Sequence, residues 1–571
     1  MTASHENAAA GRHDGGDAVV DALEWAGVDV VFGIPSVHNL PVYDALRRRG
    51  RPRSITVRHE QAAAAAADGY ARVSGRLGVC ITSTGPGAAN AMGGLLEAYL
   101  SGSPVLHLTG QIETRHLGAG RGFIHEVPRQ PEMLSAASKR VLRAAAADEI
   151  SATVAEAVEL ALAAPQGPVS VELPIDLQYA DAAPDASLQG RRAVGQPAGE
   201  PSASWERAVE AIAASRAPLI WAGGGVVRAG AEAETAELAR RIGAGVLTTP
   251  NARGLLPEDD PLCIGNLPWD PTVRELVRQA DLLIGIGTRY QGPNTENWKM
   301  ELPANLVQID LDPAIPGRSY RAAIEVAGDA KKVLSFILGH LDATRDPALR
   351  PDPAWLERIT SAAGAARERL RQSIGAQADL LDELSALLDE GTVVVKDSTI
   401  PAYTWGNRLL PVRRTRTSIM PNGFAIGLGL PQAMGAAVAH DGPVLCMVGD
   451  GGFMLSATEL ATIAAEGLPV VVLLFNDGGY GILRNIQEKQ YEHRIGVDLG
   501  SPDFCGLARA LGVDAERVGT PESFGMATKA ALGAGRPYLV EVDLAAIGPM
   551  ARPYTGTSRP PARAEGAGAK E

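Results

Sequence analysis

Two acidic residues pose the first chemical question. Asp450 stands in VGDGGFMLSATEL, at the end of an apolar run and in a glycine-rich turn that opens a helical pattern. Ligands of open α/β sheets bind at such strand ends. Asp477, in FNDGGYGILRN, follows Asp450 by 27 residues, the length of one strand–helix–strand crossover, so both strand ends emerge on the same sheet edge. Without a cation the two carboxylates would repel. Together with a backbone carbonyl from the Gly-Gly turn, taken as that of Gly479, they supply half of an octahedral Mg²⁺ shell. The remaining positions suit diphosphate oxygens and water, and the amides of a helix N-terminus attract phosphate as well. A lone Gly-Asp-Gly could equally be a plain strand-to-helix turn; the second acidic turn argues against that.

Three further residues could move protons or hold a polar substrate. Glu60, in TVRHEQAAAAAADGYAR, reads by itself as a first-turn helix acid stabilised by the helix dipole. His38, in GIPSVHN, carries an imidazole able to pass protons near neutral pH, although most loop histidines are surface or packing residues. Gln111, in LTGQIE, follows a buried strand.

Residues 78–109 and 443–475 both run strand, glycine-rich loop, small-residue helix, proline-marked turn and strand. Each is a βαβ unit, which implies a parallel sheet with helices on both faces. Continuous apolar runs such as Val470 to Phe475 indicate strands buried on both sides. A third α/β block, from about 205 to 340, has APLIWAGGG, ADLLIGIGT and LVQIDLD as strands. Polar or Pro/Ala/Gly-rich connectors near 182–203 and 341–355 read as linkers. The expected fold class is α/β, with three doubly wound parallel-sheet domains at 13–182, 204–341 and 376–550, and residues 551–571 as a disordered tail, apolar-poor from Ser558 on.

Composition narrows the class of function. A chain of 571 residues is too long for one core, and a net charge of −13 gives no basic face for nucleic acid. Cys80, Cys263, Cys446 and Cys505 lack C-x-x-C spacing and read as reduced and structural. MTASHENAAAGR has no signal-peptide core, and no run of 18 apolar residues occurs, so an acidic cytoplasmic enzyme acting on small metabolites, without membrane attachment, is expected.

The segment from Gly449 to Gly481, GDGGFMLSATELATIAAEGLPVVVLLFNDGGYG, resembles the signature of thiamine diphosphate enzymes. DVVFGIPSVHNLPVYDAL and TVRHEQAAAAAADGYARVSGRLGVCITSTGPGAAN look like the pyrimidine-binding domain of acetolactate synthase-like members. The resemblance spans residues 17–550 and names the three domains pyrimidine-binding, central and diphosphate-binding. It departs at Asp477, where many members have Asn; a carboxylate is also a hard oxygen ligand. It implies that Glu60 protonates the aminopyrimidine and so assists removal of the thiazolium C2 proton. Burial would have to raise the pKa of Glu60 for that role. Implied cofactor contacts are Pro35, Thr84, Gly85, Asn90, Ser398, Thr399, Gly449, Gly451, Gly452, Tyr480, Gly481 and Ile482. Ile426 matches the bulky residue that props the cofactor into its bent shape, though it could be a core isoleucine. Phe424 stands where many relatives have Gly, so only its backbone could keep the pyrimidine contact.

On the substrate side, His38 matches a His of benzaldehyde lyase-like and some decarboxylase-like relatives, and Gln111 a glutamine of acetolactate synthase-like ones. His125 and Glu126, in GAGRGFIHEVPRQ, fall in a loop expected to order only with substrate, where Arg121 or Arg129 could meet a carboxylate. GYGILRNIQEKQY lacks the pattern of biosynthetic acetolactate synthases after the metal motif. Arg289-Tyr290-Gln291-Gly292-Pro293 replaces their Arg-Phe-Asp-Asp-Arg run, so FAD is not expected. The leading reading is decarboxylation of a 2-oxoacid, giving an aldehyde or, by carboligation, a 2-hydroxyketone. The alternatives are a lyase or hydrolase that cleaves a hydroxyketone or dione without decarboxylation, and a non-catalytic cofactor-binding subunit. The resemblance also implies a homodimer or homotetramer with active sites between subunits.

Overall fold

A computed structural model describes residues 13–188, 199–344, 352–491 and 493–556. The strands are continuous apolar runs of the kind that a parallel sheet buries on both faces, and every residue of the segments Val105–Gln111 and Val470–Asn476 is buried. They assemble into three six-stranded sheets whose pairings between strands are all parallel. The first contains β1 (Val30–Gly33), β2 (Arg53–Thr56), β3 (Gly78–Thr82), β4 (Val105–Gln111), β5 (Arg140–Arg143) and β6 (Val169–Pro174), in the order β2-β1-β3-β4-β6-β5. The second contains β7 (Pro218–Ala222), β8 (Gly245–Thr248), β9 (Cys263–Gly265), β10 (Leu282–Ile286), β11 (Leu306–Asp310) and β12 (Ile324–Ala327), in the order β12-β11-β10-β7-β8-β9. The third contains β13 (Val393–Lys396), β14 (Ser418–Ile419), β15 (Val444–Gly449), β16 (Val470–Asn476), β17 (Asp514–Val518) and β18 (Tyr538–Asp543), in the order β14-β13-β15-β16-β18-β17. The outer sheets therefore repeat one topology, and the middle sheet has the order of a dinucleotide-binding fold.

One helix contact joins the outer domains. Helix Glu60–Ser74 has six successive alanines, all buried, and crosses helix Gly429–Ala439. The backbones come close enough that a Cβ on Gly435 would overlap the Ala66 carbonyl, and one on Gly69 the Gln432 carbonyl. These two contacts, 66 with 435 and 69 with 432, make the helices antiparallel. Gln432 donates to the buried Asp68 across the crossing at 2.7 Å. A single apolar cluster runs from Phe32 and Cys80 through these helices to Val448 and Val472. A second runs from Trp221 through helix Pro353–Ile374 to Leu445 and Leu473.

All four cysteines are free and buried. Among the described residues no helix is long and apolar enough to cross a membrane. The tail from Ser558 and parts of both connectors lie outside the described residues. The expectation that the whole of 551–571 is disordered needs correcting: the Arg552 amide donates to the Ser373 carbonyl at 3.1 Å, and Asn485 donates to the Tyr554 carbonyl at 2.9 Å. Tyr554 supplies the aromatic surface that an apolar-poor composition conceals.

Candidate active site

The register of β15 and β16 pairs Gly449 with Phe475, so Asp450 and Asp477 leave the sheet at nearly the same level. Asp450 is 3 % exposed, and burial, followed by the charge of Asp477, raises its pKa to about 6. Burial raises that of Asp477 too, with the Arg484 guanidinium opposing. A buried acid and a half-buried one side by side, each made harder to ionise by desolvation, fit a divalent cation between them. Among the described residues no three His, Cys, Asp or Glu side chains form a metal-binding group, so the other ligands would be backbone and cofactor oxygens. The Gly479 carbonyl faces Gly451, 3.6 Å from where a Cβ would stand. Gly481 is required because a Cβ there would overlap the Asp477 Oδ2 oxygen, and one on Gly451 would lie 2.6 Å from the Tyr480 ring. The turn is held from behind. Asn476 donates to Glu541 at 2.9 Å and accepts from the Gly478 amide at 3.1 Å, while Arg484 binds the Asp477 carbonyl at 3.1 Å and Asp498 at 2.8 Å.

Beside this turn lies a loop shaped by Asp397, the first residue of the Asp-Ser-Thr stretch, 397–399, that also holds the expected contacts Ser398 and Thr399. Asp397 is fully buried and accepts from the amides of Ser398 (2.6 Å), Gly427 (3.0 Å) and Gly429 (2.7 Å). It thereby fixes residues 425–429 over Gly452, and a Cβ on Gly452 would stand 3.2 Å from Asp397 Oδ1. Thr399 packs on Gly449. Ile426 is half-buried and outside the packed core, whereas a core isoleucine would be fully enclosed. Phe424 has φ 57° and is 45 % exposed. A left-handed non-glycine residue costs about 1 kcal/mol, so the loop imposes this shape on a residue that resists it. Ser398 Oγ donates to the carbonyls of Phe424 (3.1 Å) and Ala425 (3.0 Å).

Glu60 opens its helix, half-buried; Asn90 donates to its Oε2 at 3.0 Å, and Gly87 leaves room for its Oε1. The loop just described touches the other end of the same helix, where Arg72 donates to the Met420 carbonyl at 2.8 Å. Twelve residues separate Glu60 from Arg72, about 18 Å of helix. The neighbouring helix Pro86–Ser101 repeats this polarity: Gly87 and Asn90 lie near Glu60, while Glu97 and Ser101 bind Asn422 at 2.6 and 2.9 Å.

The family description "Thiamine pyrophosphate enzyme, N-terminal TPP binding domain" matches residues 13–133, its central domain matches 205–337, and its C-terminal TPP binding domain matches 401–542. The chain is a thiamine pyrophosphate enzyme. Among its relatives, a probable acetolactate synthase large subunit of Methanocaldococcus jannaschii is 34 % identical over 94 % of this chain and 93 % of its own. A probable 2-ketoarginine decarboxylase of Pseudomonas aeruginosa is 36 % identical over 87 % of this chain and 88 % of its own. The structure of a thiamine diphosphate-dependent 4-hydroxybenzoylformate decarboxylase of Rhodococcus jostii superposes with a TM-score of 0.79 at 26 % identity, covering 93 % of this enzyme and 99 % of that chain.

In this thiamine pyrophosphate enzyme His38 is 1 % exposed, its ring lies 5.1 Å from that of His125, and its Nδ1 has no partner. Burial first, then His125, lowers its pKa, so it is neutral at neutral pH. Pro35 is exposed at the start of the same loop. Gln111 is 3 % exposed, and its amide is already engaged: Nε2 donates to Glu172 at 2.9 Å, and Oε1 accepts from the Ile112 amide at 2.8 Å. Thr84 and Gly85 donate to Gln130 Oε1 at 2.9 and 2.7 Å, which turns the Thr84 hydroxyl inward. Glu126 accepts from the amides of Gly120, Gly122 and Phe123 at 2.8–3.0 Å and ties the loop to itself, while Arg121 and Arg129 point outward, exposed.

A second cavity opens at the ends of β7, β10 and β11, lined by Gly224, Arg228, Arg289, Asp310 and Asp312. Tyr290 is packed between Trp221 and Tyr320 at 5.3 and 5.6 Å. Arg484 was the residue hardest to foresee: its only signal was an arginine one helical turn beyond the metal loop.

Proposed function

We propose that this enzyme decarboxylates a 2-oxoacid with thiamine diphosphate and Mg²⁺, releasing an aldehyde or joining the acyl fragment to a second carbonyl as a 2-hydroxyketone. Asp450, Asp477 and the Gly479 carbonyl would hold the metal. The amides around Gly451, Gly452 and Gly481, with Gly449, Ser398, Thr399, Tyr480 and Ile482, would hold the diphosphate. Ile426 and the Phe424 carbonyl would face the rings. Once bound, thiamine diphosphate supplies an electron sink next to the substrate carbonyl, so that the carboxylate can leave as CO₂. Glu60, steadied by Asn90, exchanges a proton with the aminopyrimidine, and neutral His38 exchanges one with the substrate oxygen. Gln111, already engaged, shapes that pocket from behind. The pyrimidine side belongs to residues 13–182 and the diphosphate side to 376–550.

The observation that carries this reading is the pairing of buried Asp450 with half-buried Asp477 at adjacent strand ends, flanked by glycines whose Cβ atoms would close the site. The names of the relatives above, two decarboxylases and an acetolactate synthase, point the same way.

The separation of Glu60 from the chain's own 420–428 loop by the length of a helix supports active sites shared between two copies, each giving Glu60 to the other's metal site. A dimer or a dimer of dimers meets that need. A lyase acting on a hydroxyketone without decarboxylation uses the same residues, and His38 suits both. Incubation with pyruvate and longer 2-oxoacids, with and without aldehyde acceptors, should release CO₂. No CO₂ and no ligation product in the presence of cofactor and Mg²⁺ would sink the decarboxylase reading, and CO₂-free cleavage of a hydroxyketone would favour the lyase. Glu60→Gln should keep cofactor affinity and lose turnover by about 10²- to 10⁴-fold. Unchanged turnover would remove Glu60 from the mechanism.

A further inference from the structure

The C-terminal segment reaches the cofactor side of the third sheet through one residue. The Tyr554 ring lies 6.1 Å from that of Tyr403, nearly parallel at 25°, and Tyr403 lies 5.9 Å from Phe424 at 21°. The three rings make a ladder from residue 554 to the loop at 424. Its outer end is anchored: the Arg408 guanidinium sits 3.8 Å over the Trp269 ring and 5.8 Å from Tyr554. Arg408 is 7 % exposed, and its Nε has no partner. Tyr403 stands in a π-helical turn, Ala402–Gly406, a rare geometry that recurs at functional sites. Its hydroxyl donates to Ser398 Oγ at 2.8 Å, and that oxygen holds the Phe424 and Ala425 carbonyls. On the opposite side the Tyr554 carbonyl accepts from Asn485, on helix Gly481–Gln490, which begins four residues after Asp477. Residue 554 therefore touches both halves of the proposed cofactor site, the ring side through Tyr403 and the diphosphate side through Asn485.

We propose that Tyr554 and Tyr403 are positioning residues for thiamine diphosphate, and that residues 551–556 form a brace holding the 424–428 loop in its strained shape against helix Gly481–Gln490. This rests on the reading that the 424–428 loop faces the cofactor rings. Phe424 cannot keep a left-handed backbone on intrinsic preference, because its Cβ opposes that conformation. Its half-exposed ring gains packing from Tyr403 instead, and Tyr403 gains it from Tyr554. Stacked aromatic pairs supply enough energy to set such a local equilibrium. A merely structural tail would stabilise the whole fold; a brace acts on a loop whose conformation the cofactor reads.

The test uses full-length wild type, Tyr554→Ala, Tyr554→Phe and Tyr403→Phe. Thiamine diphosphate is titrated into cofactor-free protein at fixed Mg²⁺, followed by tryptophan fluorescence or calorimetry, and the 2-oxoacid KM is measured at saturating cofactor. Tyr554→Phe keeps the ring and should bind within about twofold of wild type. Tyr554→Ala should weaken cofactor binding about tenfold while leaving the substrate KM and the cofactor-free melting midpoint unchanged. Tyr403→Phe, which loses only the hydroxyl on Ser398, should weaken cofactor binding about fivefold. Hydrogen exchange at residues 421–428 of the cofactor-free protein should be faster in Tyr554→Ala. Wild-type cofactor affinity in Tyr554→Ala, or equal losses in Tyr554→Ala and Tyr554→Phe, would overturn the proposal. If the alanine variant fails to fold, wild-type affinity in Tyr403→Phe overturns it by itself. Failure of the wild-type protein to bind thiamine diphosphate would overturn the proposed function and this inference with it, whereas wild-type affinity in Tyr554→Ala overturns the inference alone.

Discussion

Glu60 and Arg72 stand at opposite ends of one helix, and only the Arg72 end touches the loop that leads to Ile426. The residue proposed to activate the cofactor is thus about 18 Å of helix from its own chain's cofactor loop. Because the antiparallel crossing at Gly69 and Gly435 is locked by backbone contact, no side-chain rotation closes that distance.

Subunit mixing follows from this separation. Glu60→Gln and Asp477→Ala chains should each be inactive alone. Co-refolded in equal amounts, they form hybrids that hold one site with an intact Glu60 from one chain and an intact metal turn from the other. Random pairing gives about a quarter of wild-type activity. Mixed samples no more active than the separate variants would show that each chain builds its own site.

The Asp450 carboxyl sets a pH dependence of stability. Its folded pKa, about 6, lies above the ordinary 3.8, so its contribution is fully present below the lower value and is lost as pH rises through 6. Its upper limit is about 3 kcal/mol. Cofactor-free wild type should therefore lose melting temperature relative to Asp450→Asn between pH 5 and pH 7.5. Mg²⁺ with thiamine diphosphate should turn that difference in favour of wild type, because the cation takes the place of the proton on Asp450 and the Asn variant holds it less well. A difference that stays flat across this range without cofactor would show that the pair carries no such strain.

His38 should show in the acid limb of the pH–rate profile. Burial and His125 hold its pKa below the ordinary 6.5, so the acid limb should lie below that value. Replacing His125 by Phe removes the second cause and should move that limb to higher pH. His38→Ala should lower kcat about 10²-fold or more. A limb that does not move in His125→Phe would break the proposed coupling between the two rings.

Gly435→Val should be among the most destabilising single changes away from the active site. The first atom added would overlap the Ala66 carbonyl in a crossing built from small residues, at a cost of about 3 kcal/mol or more. Urea denaturation would measure it, and a loss below about 1 kcal/mol would mean that the helices separate easily.

How much could be read from the chain differs from residue to residue. The two βαβ units, Asp450, Asp477 and the glycines around them were legible because they are local: a strand, a tight turn and a helix N-terminus leave their marks within a dozen residues. The bonds of Asp397 to the Gly427 and Gly429 amides and of Arg484 to Asp498 were not, because those partners are distant along the chain or ordinary in type. Gln111 was legible as a buried polar residue, but its engagement with Glu172 was not.

By itself the amino-acid sequence determined the parallel-sheet class and the carboxylate pair at adjacent strand ends, since strand burial, crossover length and turn chemistry are written in neighbouring residues, and its resemblance over residues 449–481 pointed to the cofactor family. Only the tertiary structure decided that Glu60 stands at the helix end opposite Arg72, which meets the segment leading to Ile426, that His38 and His125 meet, and that Tyr554 closes a ladder of rings back to Phe424. Those relationships depend on how helices cross and where the chain returns after long intervening stretches, and no spacing along the chain encodes them.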